Sequence, residues 1–431
     1  MHYDKKVAMS VSRTADPAGS SGAGGGVDGS GGRGPQEGRL PGQGLNLALA
    51  TWTFAINFWA WNLIGPLSSA YSKAMSLSTS QTALLVATPI LVGSVGRIPV
   101  GALTDRFGGR RMFTAVSLIS IVPVLLVAFA GHVNSYVLLL GFGFFLGVAG
   151  TAFAVGIPFV NAWYAPGRRG FATGVFGAGM GGTALSAFFT PRFVGWFGSI
   201  TAHVVIAVAL ALTAVVVMMR MTDSPRWQPN TDPVLPKLVA AGRLRITWQL
   251  SVLYAITFGG FVAFSTYLPT YLKTIYEFSI TGAGARTAGF AVAAVLARPV
   301  GGMLSDRFHP KVVVMCSLTG AAVMAVVVAF QPSPELAAGA SFVVMALFLG
   351  IGTGGVFAWV ARSAPADRVG SVTGIVGAAG GLGGFFPPLV LGATYDSVGN
   401  DYTVGLALLC ATCLLALLYT AWKLPGRAAT E

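Results

Sequence analysis

Acidic residues are scarce in this chain. It has 14 Asp and Glu against 27 Lys and Arg in 431 residues, and charged side chains make up 10%. A soluble globular chain carries about a quarter charged residues, so this composition cannot supply a water-facing surface. Histidines number four and cysteines three. Cys410 and Cys413 form C-x-x-C inside the apolar run LLCATCLLALL, where ionising a thiol is costly, so they read as helix packing rather than a zinc or redox pair. No disulfide framework, metal-ligand cluster, nucleophile with a base or phosphate loop after a strand is evident, so neither enzyme chemistry nor a cofactor is expected. The net charge of +13 would suggest nucleic acid in a soluble protein. In a membrane protein the same excess collects on the cytoplasmic side, and no nucleic-acid partner is expected.

Apolar length is what the chain has in plenty. Hydrophobic residues make up 54% and mean hydropathy is +0.72. Runs of roughly 20 apolar residues, each able to cross about 30 Å of hydrocarbon as a helix, are expected near 46–70, 81–104, 112–131, 136–161, 170–190, 199–221, 248–270, 281–305, 312–330, 338–361, 369–393 and 402–422. Residues 1–45 differ in kind. The stretch GSSGAGGGVDGSGGRGPQEG offers no core, so it reads as a disordered Gly/Ser-rich tail, and without an apolar segment it is not a signal peptide.

Basic residues gather in alternate connections: Arg106, Arg110 and Arg111; Arg168 and Arg169; Arg226, Lys237, Arg243 and Arg245; Arg307 and Lys311; Arg362 and Arg368. The opposite set carries Lys73, Arg192, Lys273, Glu277, Glu335, Asp396 and Asp401. The positive-inside rule then places both termini in the cytoplasm of a multi-pass cell-membrane protein. The longest internal connection, 222–247, parts one six-span half (46–221) from another (248–423), with 424–431 as a short second tail.

The halves repeat. RIPVGALTDRF from Arg97 recurs as RPVGGMLSDRF from Arg298, 201 residues on and without a gap; GFATGVFGAGMGG from Gly170 recurs as GSVTGIVGAAGGLGG from Gly370, at 200. Parallel six-helix repeats place a substrate site near the midplane between them. The run Gly101-x-Leu103-x-Asp105-Arg106-x-Gly108-x-Arg110-Arg111, with its partial copy through Asp306 and Arg307, resembles the cytoplasmic loop motif of the major facilitator superfamily. The expected fold is therefore all-α, with twelve transmembrane helices in two pseudo-symmetric halves. Asp105 is expected to accept hydrogen bonds from a helix N-terminus, with Arg106, Arg110 and Arg111 at the headgroups, so that the motif latches one conformation as a gate.

Arg97 and Arg298 each precede the motif aspartate by eight residues, about 12 Å of helix, and so lie well inside the bilayer. An arginine at a helix centre costs roughly 2.5–3.5 kcal/mol on insertion scales. No Asp or Glu falls inside an expected span to pair with them. Snorkelling to the headgroups is the competing reading; the twofold repetition argues against it. Facing one cavity, the two make an anion site. Of the histidines only His203 falls in a span, near its outer end, so no obvious proton carrier is present. Repulsion and desolvation hinder closure around the empty pair, which predicts exchange of one anion for another.

Gly170, Gly174, Gly177 and Gly181, and likewise Gly370, Gly374, Gly377 and Gly381, recur at spacings of three and four. That puts each set on one face for close helix approach, on surfaces that slide as access alternates. With the two arginines, these glycine helices resemble the nitrate/nitrite porter family. The likeness runs over most of 46–422, most specifically at LYAITFGGFVAFSTYLPTYL from Leu253, LARPVGGMLSDRF from Leu296 and VTGIVGAAGGLGGFFPPLVLG from Val372. The resemblance implies that Arg97 and Arg298 bind the anion, that Phe153 packs on it, that Tyr254 hydrogen-bonds near it with Phe258 one turn on, and that Thr353 is the small polar residue of the tenth span.

Phe58, Asn57 and Asn62 are further candidates along the path. Met180 and Thr353 stand where the family usually has asparagine, which weakens nitrate-against-nitrite discrimination or shifts the anion. Arg286 is a charge without an assigned role. The expected activity is nitrate and nitrite transport by alternating access, as an exchanger and a monomer. The alternatives are proton-coupled symport, a carrier of another small anion or a drug, and a sensor that binds without flux.

Overall fold

The computed structural model describes residues 40–424 apart from 166, 167, 230–232, 335, 366, 367 and 397. Most of the tail expected at 1–45 lies outside them, as do Glu335 and 425–431. Twelve helical passes follow in order: α1 (Gln43–Met75), α2 (Thr79–Phe107), α3 (Gly109–His132), α4 (Tyr136–Trp163), α5 (169–197), α6 (Ser199–Arg220), α7 (Arg245–Tyr276), α8 (Ile280–Arg307), α9 (Pro310–Ala329), α10 (Leu336–Ser363), α11 (Ser371–Ala393) and α12 (Thr403–Lys423). Among the described residues, every pass but α5 is long and apolar enough by itself to cross a membrane. Helix α1 starts at Gln43, inside the stretch expected to be tail, and most passes outrun their apolar runs by a few residues. Hydropathy marks the hydrocarbon, whereas backbone hydrogen bonding carries a helix on into the headgroups. A short linker helix, Val234–Gly242, lies in the connection between the halves.

The repeat reappears as repeated local chemistry. Ser78 caps α2 by accepting from Gln81 N at 3.2 Å, and Ser279, 201 residues later, caps α8 by accepting from Gly282 N at 3.0 Å. Arg110, at the start of α3, donates to the Met218 carbonyl at the end of α6. Its counterpart Lys311, at the start of α9, donates to the Ala421 and Leu424 carbonyls at the end of α12, at 2.9 and 2.7 Å. A cation on orphan C-terminal carbonyls satisfies them and complements the helix dipole.

The return of the offset from 200 to 201 within α5 has a structural cause. Gly182 sits on the Ala55 carbonyl as Gly383 sits on that of Ala255, and Gly179 lies on Phe54 as Gly380 lies on Tyr254. Helix α5 is thus one residue shorter than α11 between Gly177 and Gly182. There it winds as 3₁₀ over Ala178–Gly181, while α11 stays α-helical through Gly383. A 3₁₀ turn rises about 2.0 Å per residue against 1.5 Å, so tighter winding covers the same depth with one residue fewer.

The expected role of Asp105 is filled by another residue. Asp223, just beyond α6, accepts from Arg110 N at 3.1 Å, and it caps α3 there. Gly108 makes room: its φ is +87°, and a Cβ there would come within 2.7 Å of the Asp223 carboxylate. Asp105 is half-buried and, among the described residues, makes no hydrogen bond; the charge acting on it is Lys237 of the linker helix. Loss of an N-cap costs about 1 kcal/mol. Asp223→Ala should therefore lower the unfolding temperature in detergent, with Asp223→Asn recovering most of the loss. A larger drop for Asp105→Ala would return the cap to Asp105.

Candidate functional site

The halves touch closely at one end of the bundle and stand apart at the other. At the arginine-poor end, Ser68 and Thr270 share a hydrogen bond of 2.6 Å, and Ser80 donates to the Gly392 carbonyl at 3.3 Å. Gly65 lies where a Cβ would come within 2.7 Å of the Thr266 carbonyl, and Gly284 rests on the Ala187 carbonyl and the Pro191 ring. At the arginine-rich end, Gly174 and Gly374 have no atom within 4 Å of where a Cβ would stand. The seam is therefore packed shut at one end, the closed end, and bare at these two glycines at the other, the open end.

Between these ends the structure brings together most of the predicted site. Arg97, on α2, is 4% exposed. Its Nη1 donates across the seam to the Gly377 carbonyl of α11 at 2.9 Å, while Nε and Nη2 have no partner. Its guanidinium carbon lies 4.9 Å from the centre of the Phe153 ring and 5.5 Å from that of Phe258. Those two rings, one from each half, stack at 6.5 Å. Arg298, on α8, is half-buried; its Nη1 abuts the Met180 sulfur, and its guanidinium lies 5.4 Å from the Phe357 ring. Tyr254 stacks on Phe258 with rings 4.9 Å apart and meets Phe357 edge-on at 4.7 Å. Its buried hydroxyl has no well-aligned hydrogen bond but feels the charge of both arginines. The arginines are near enough to repel each other, and among the described residues neither forms an ion pair with a carboxylate.

An aromatic cage of Phe153, Phe258, Tyr254 and Phe357 thus holds two like charges. Contacts with ring faces return about 0.5–2 kcal/mol each, which leaves the desolvation of two guanidiniums largely uncompensated. The free Nε–Nη2 edge of Arg97 is a planar pair of donors, the fork that carboxylates and other planar oxyanions accept.

The other candidates divide. Thr353 is buried but spends its hydroxyl on the Leu349 carbonyl at 2.7 Å. Phe58 stands one ring further back, 4.3 Å from Phe54, which in turn lies 5.7 Å from Phe153. Asn57 donates to Thr53 O and Ser117 Oγ, both at 2.9 Å, inside the first half. His203 joins Ser199 O and the Tyr71 hydroxyl near the closed end, and Arg286 is exposed over the Phe278 ring at 3.8 Å. The glycine faces serve only in part as expected. Gly177 fronts Arg298, Gly377 fronts Phe153, Gly381 fronts Ser94 and Arg97, and Gly181 faces open space. Close helix approach is made by Gly381, where a Cβ would come within 2.2 Å of Ser94 Oγ, and also by Gly179, Gly182, Gly380 and Gly383. At the open end, a Cβ at Gly101 would meet only Ala154, at 3.9 Å, and Asp306 pairs with Arg362 at 3.5 Å, both exposed. Arg106 and Arg307 lie over Phe107 and Phe308 at 5.6 and 5.8 Å, and among the described residues neither pairs with a carboxylate.

Sequence reasoning missed three features of the site. The Gly377 carbonyl carries no side-chain signal. Phe357 has one, since it follows Thr353 by one helical turn. The contact of Met180 with Arg298 depends on the 3₁₀ winding of α5.

The Major Facilitator Superfamily model matches residues 50–285 and 250–431. A Mycobacterium tuberculosis protein named "Probable nitrate/nitrite transporter NarK2" is 67% identical over 382 residues, covering 89% of this chain and 97% of its own. This chain belongs to the nitrate/nitrite porter family of the Major Facilitator Superfamily. The porter is also 34% identical to a "Nitrite extrusion protein" of Bacillus subtilis, across 88% of this chain and 94% of that one. It is 33% identical to a "Probable nitrate/nitrite antiporter NarK1" of Thermus thermophilus, across 80% and 83%. Each is named as a carrier and none as an enzyme. Among solved structures, the porter's fold is similar to a bacterial homolog of the human lysosomal transporter Spinster, inward-facing and occupied. The TM-score is 0.65 at 19% identity, over 89% of this chain and 96% of that one.

Proposed function

We propose that the porter carries nitrate and nitrite across the cell membrane by exchanging one for the other, as a monomer with both termini in the cytoplasm. The observation that carries this is the free Nε–Nη2 edge of buried Arg97, beside two phenyl rings and within repelling distance of a second guanidinium that, among the described residues, pairs with no carboxylate. A planar, weakly hydrated monovalent anion accepts from that edge, and the rings hold it in a slot of low polarity. Hydrogen bonds to a charged group contribute about 1.5–3 kcal/mol, so the anion offsets the repulsion that opposes closure. Among the described residues neither arginine pairs with an acid that could take a coupling proton, which favours exchange over symport. The names borne by the relatives support the same cargo.

The test is counterflow in proteoliposomes with nitrate, nitrite, chloride and formate over a range of pH. Nitrate and nitrite should accelerate each other from opposite sides without a proton gradient. Fast net uptake that needs a proton gradient and no internal anion would replace exchange by symport.

A further inference from the structure

Helix α7 holds two buried serines whose hydroxyls have no partner, Ser251 Oγ and Ser265 Oγ. They do not lie at random around the helix. Ser251, Tyr254, Phe258 and Ser265 follow one another at spacings of three, four and seven, which places them on one face. It is the face that carries the site, since Tyr254 and Phe258 form the cage. A serine inside a membrane helix ordinarily returns its hydroxyl to the carbonyl one turn back. Thr257 and Thr266 do so on this helix, to Leu253 and Val262 at 3.0 and 2.9 Å, and Thr270 is paired with Ser68. Ser251 and Ser265 are 3% and 1% exposed and keep their hydroxyls unspent. A buried hydroxyl left unpaired is costly.

The two serines flank the arginine pair. Ser251 lies toward the open end and Ser265 toward the closed end, about 21 Å apart along the helix. Beside Ser265, Thr266 meets α1 at Gly65, and Asn62 Oδ1, also without a partner, stands 3.1 Å from where a Gly65 Cβ would be. The Asn62 amide nitrogen is held only by a long bond of 3.4 Å to the Thr183 carbonyl. Ser265 is thus one residue from this seam on one half, and Asn62 borders it on the other.

We propose that Ser265, with Asn62 on the other half, and Ser251 are waystations that hold the anion in passing on the outer and inner approaches to the arginines. This rests on anion transport as the function. A neutral donor binds an anion weakly enough to release it and strongly enough to offset part of its lost hydration.

The experiment is sided kinetics in oriented proteoliposomes, with nitrite or nitrate varied on one face and saturating on the other. Ser265→Ala should raise KM about tenfold from the outer face alone, and Ser251→Ala from the inner face alone. Ser265→Thr, which keeps the hydroxyl, should stay near wild type. Neither alanine variant should unfold at a lower temperature in detergent, because each removes an unpaired polar atom. Asn62→Ala, on the other half, should reproduce the outer shift. An unchanged KM on both faces, or an equal change on both with a lower unfolding temperature, overturns the waystations while wild-type counterflow persists. Absence of counterflow in wild type overturns the transport function itself.

Discussion

Arg97→Lys and Arg298→Lys are each expected to cut nitrate and nitrite counterflow by at least about 100-fold while still inserting and folding. Lysine keeps the charge but offers a compact ammonium in place of a planar fork. At Arg97 the change removes the Nε–Nη2 edge and the bond to the Gly377 carbonyl that joins α2 to α11. Two charge-assisted hydrogen bonds at about 1.5–3 kcal/mol apiece, with tenfold for each 1.4 kcal/mol, put the loss at two orders of magnitude or more. Arg97 is the deeper of the two and should be the less tolerant. Normal flux in either variant, measured at equal amounts of reconstituted protein, would take that arginine out of the site.

The second large effect is expected at the closed end. Gly284 lies directly on the Ala187 carbonyl and the Pro191 ring across the seam between α8 and α5. A valine there cannot be accommodated without parting the halves, but it leaves each half's own packing intact. Gly284→Val should abolish turnover and hold the protein open to the outside. In that background a cysteine replacing Ser68, which is paired with Thr270 in the closed seam, should react with a membrane-impermeant maleimide. Gly289→Val, on the same helix at a place with no atom within 4 Å of a Cβ, should transport near wild-type rates. An unreactive cysteine with normal turnover in Gly284→Val would mean that this seam does not open during transport.

Much of this is legible in the sequence because membranes restrict what a chain can do. Spans are long and apolar, and an arginine far from any acid has few tolerable places. Repetition of RIPVGALTDRF as RPVGGMLSDRF therefore points to both the halves and the pair of charges. Aromatic neighbours are harder to rank. Phe58 and Phe258 are repeat counterparts, yet only Phe258 reaches a guanidinium, because Phe54 stands between Phe58 and the cavity. Phe357 escapes notice for the converse reason: its place over Arg298 depends on how α10 is rotated, and an almost wholly apolar helix carries little sign of that. Asp105 illustrates a third limit. The motif announces an acid beside a helix start, but Asp223, which caps that start, is more than a hundred residues away, and only the fold brings it near. The glycine spacing marks two special faces correctly, but spacing does not say whether a bare face meets another helix or an empty slot.

The cationic fastenings at the ends of α3 and α9 bear on how the molecule can move. Arg110 grips the last turn of α6, and Lys311 the last turn of α12, on the edges of each half away from the central seam. Neither grip crosses the seam, so neither needs to break when one end opens and the other shuts. The outer flanks can tip as solid blocks, and the deformation between states is left to the glycine- and hydroxyl-lined strip where the blocks meet.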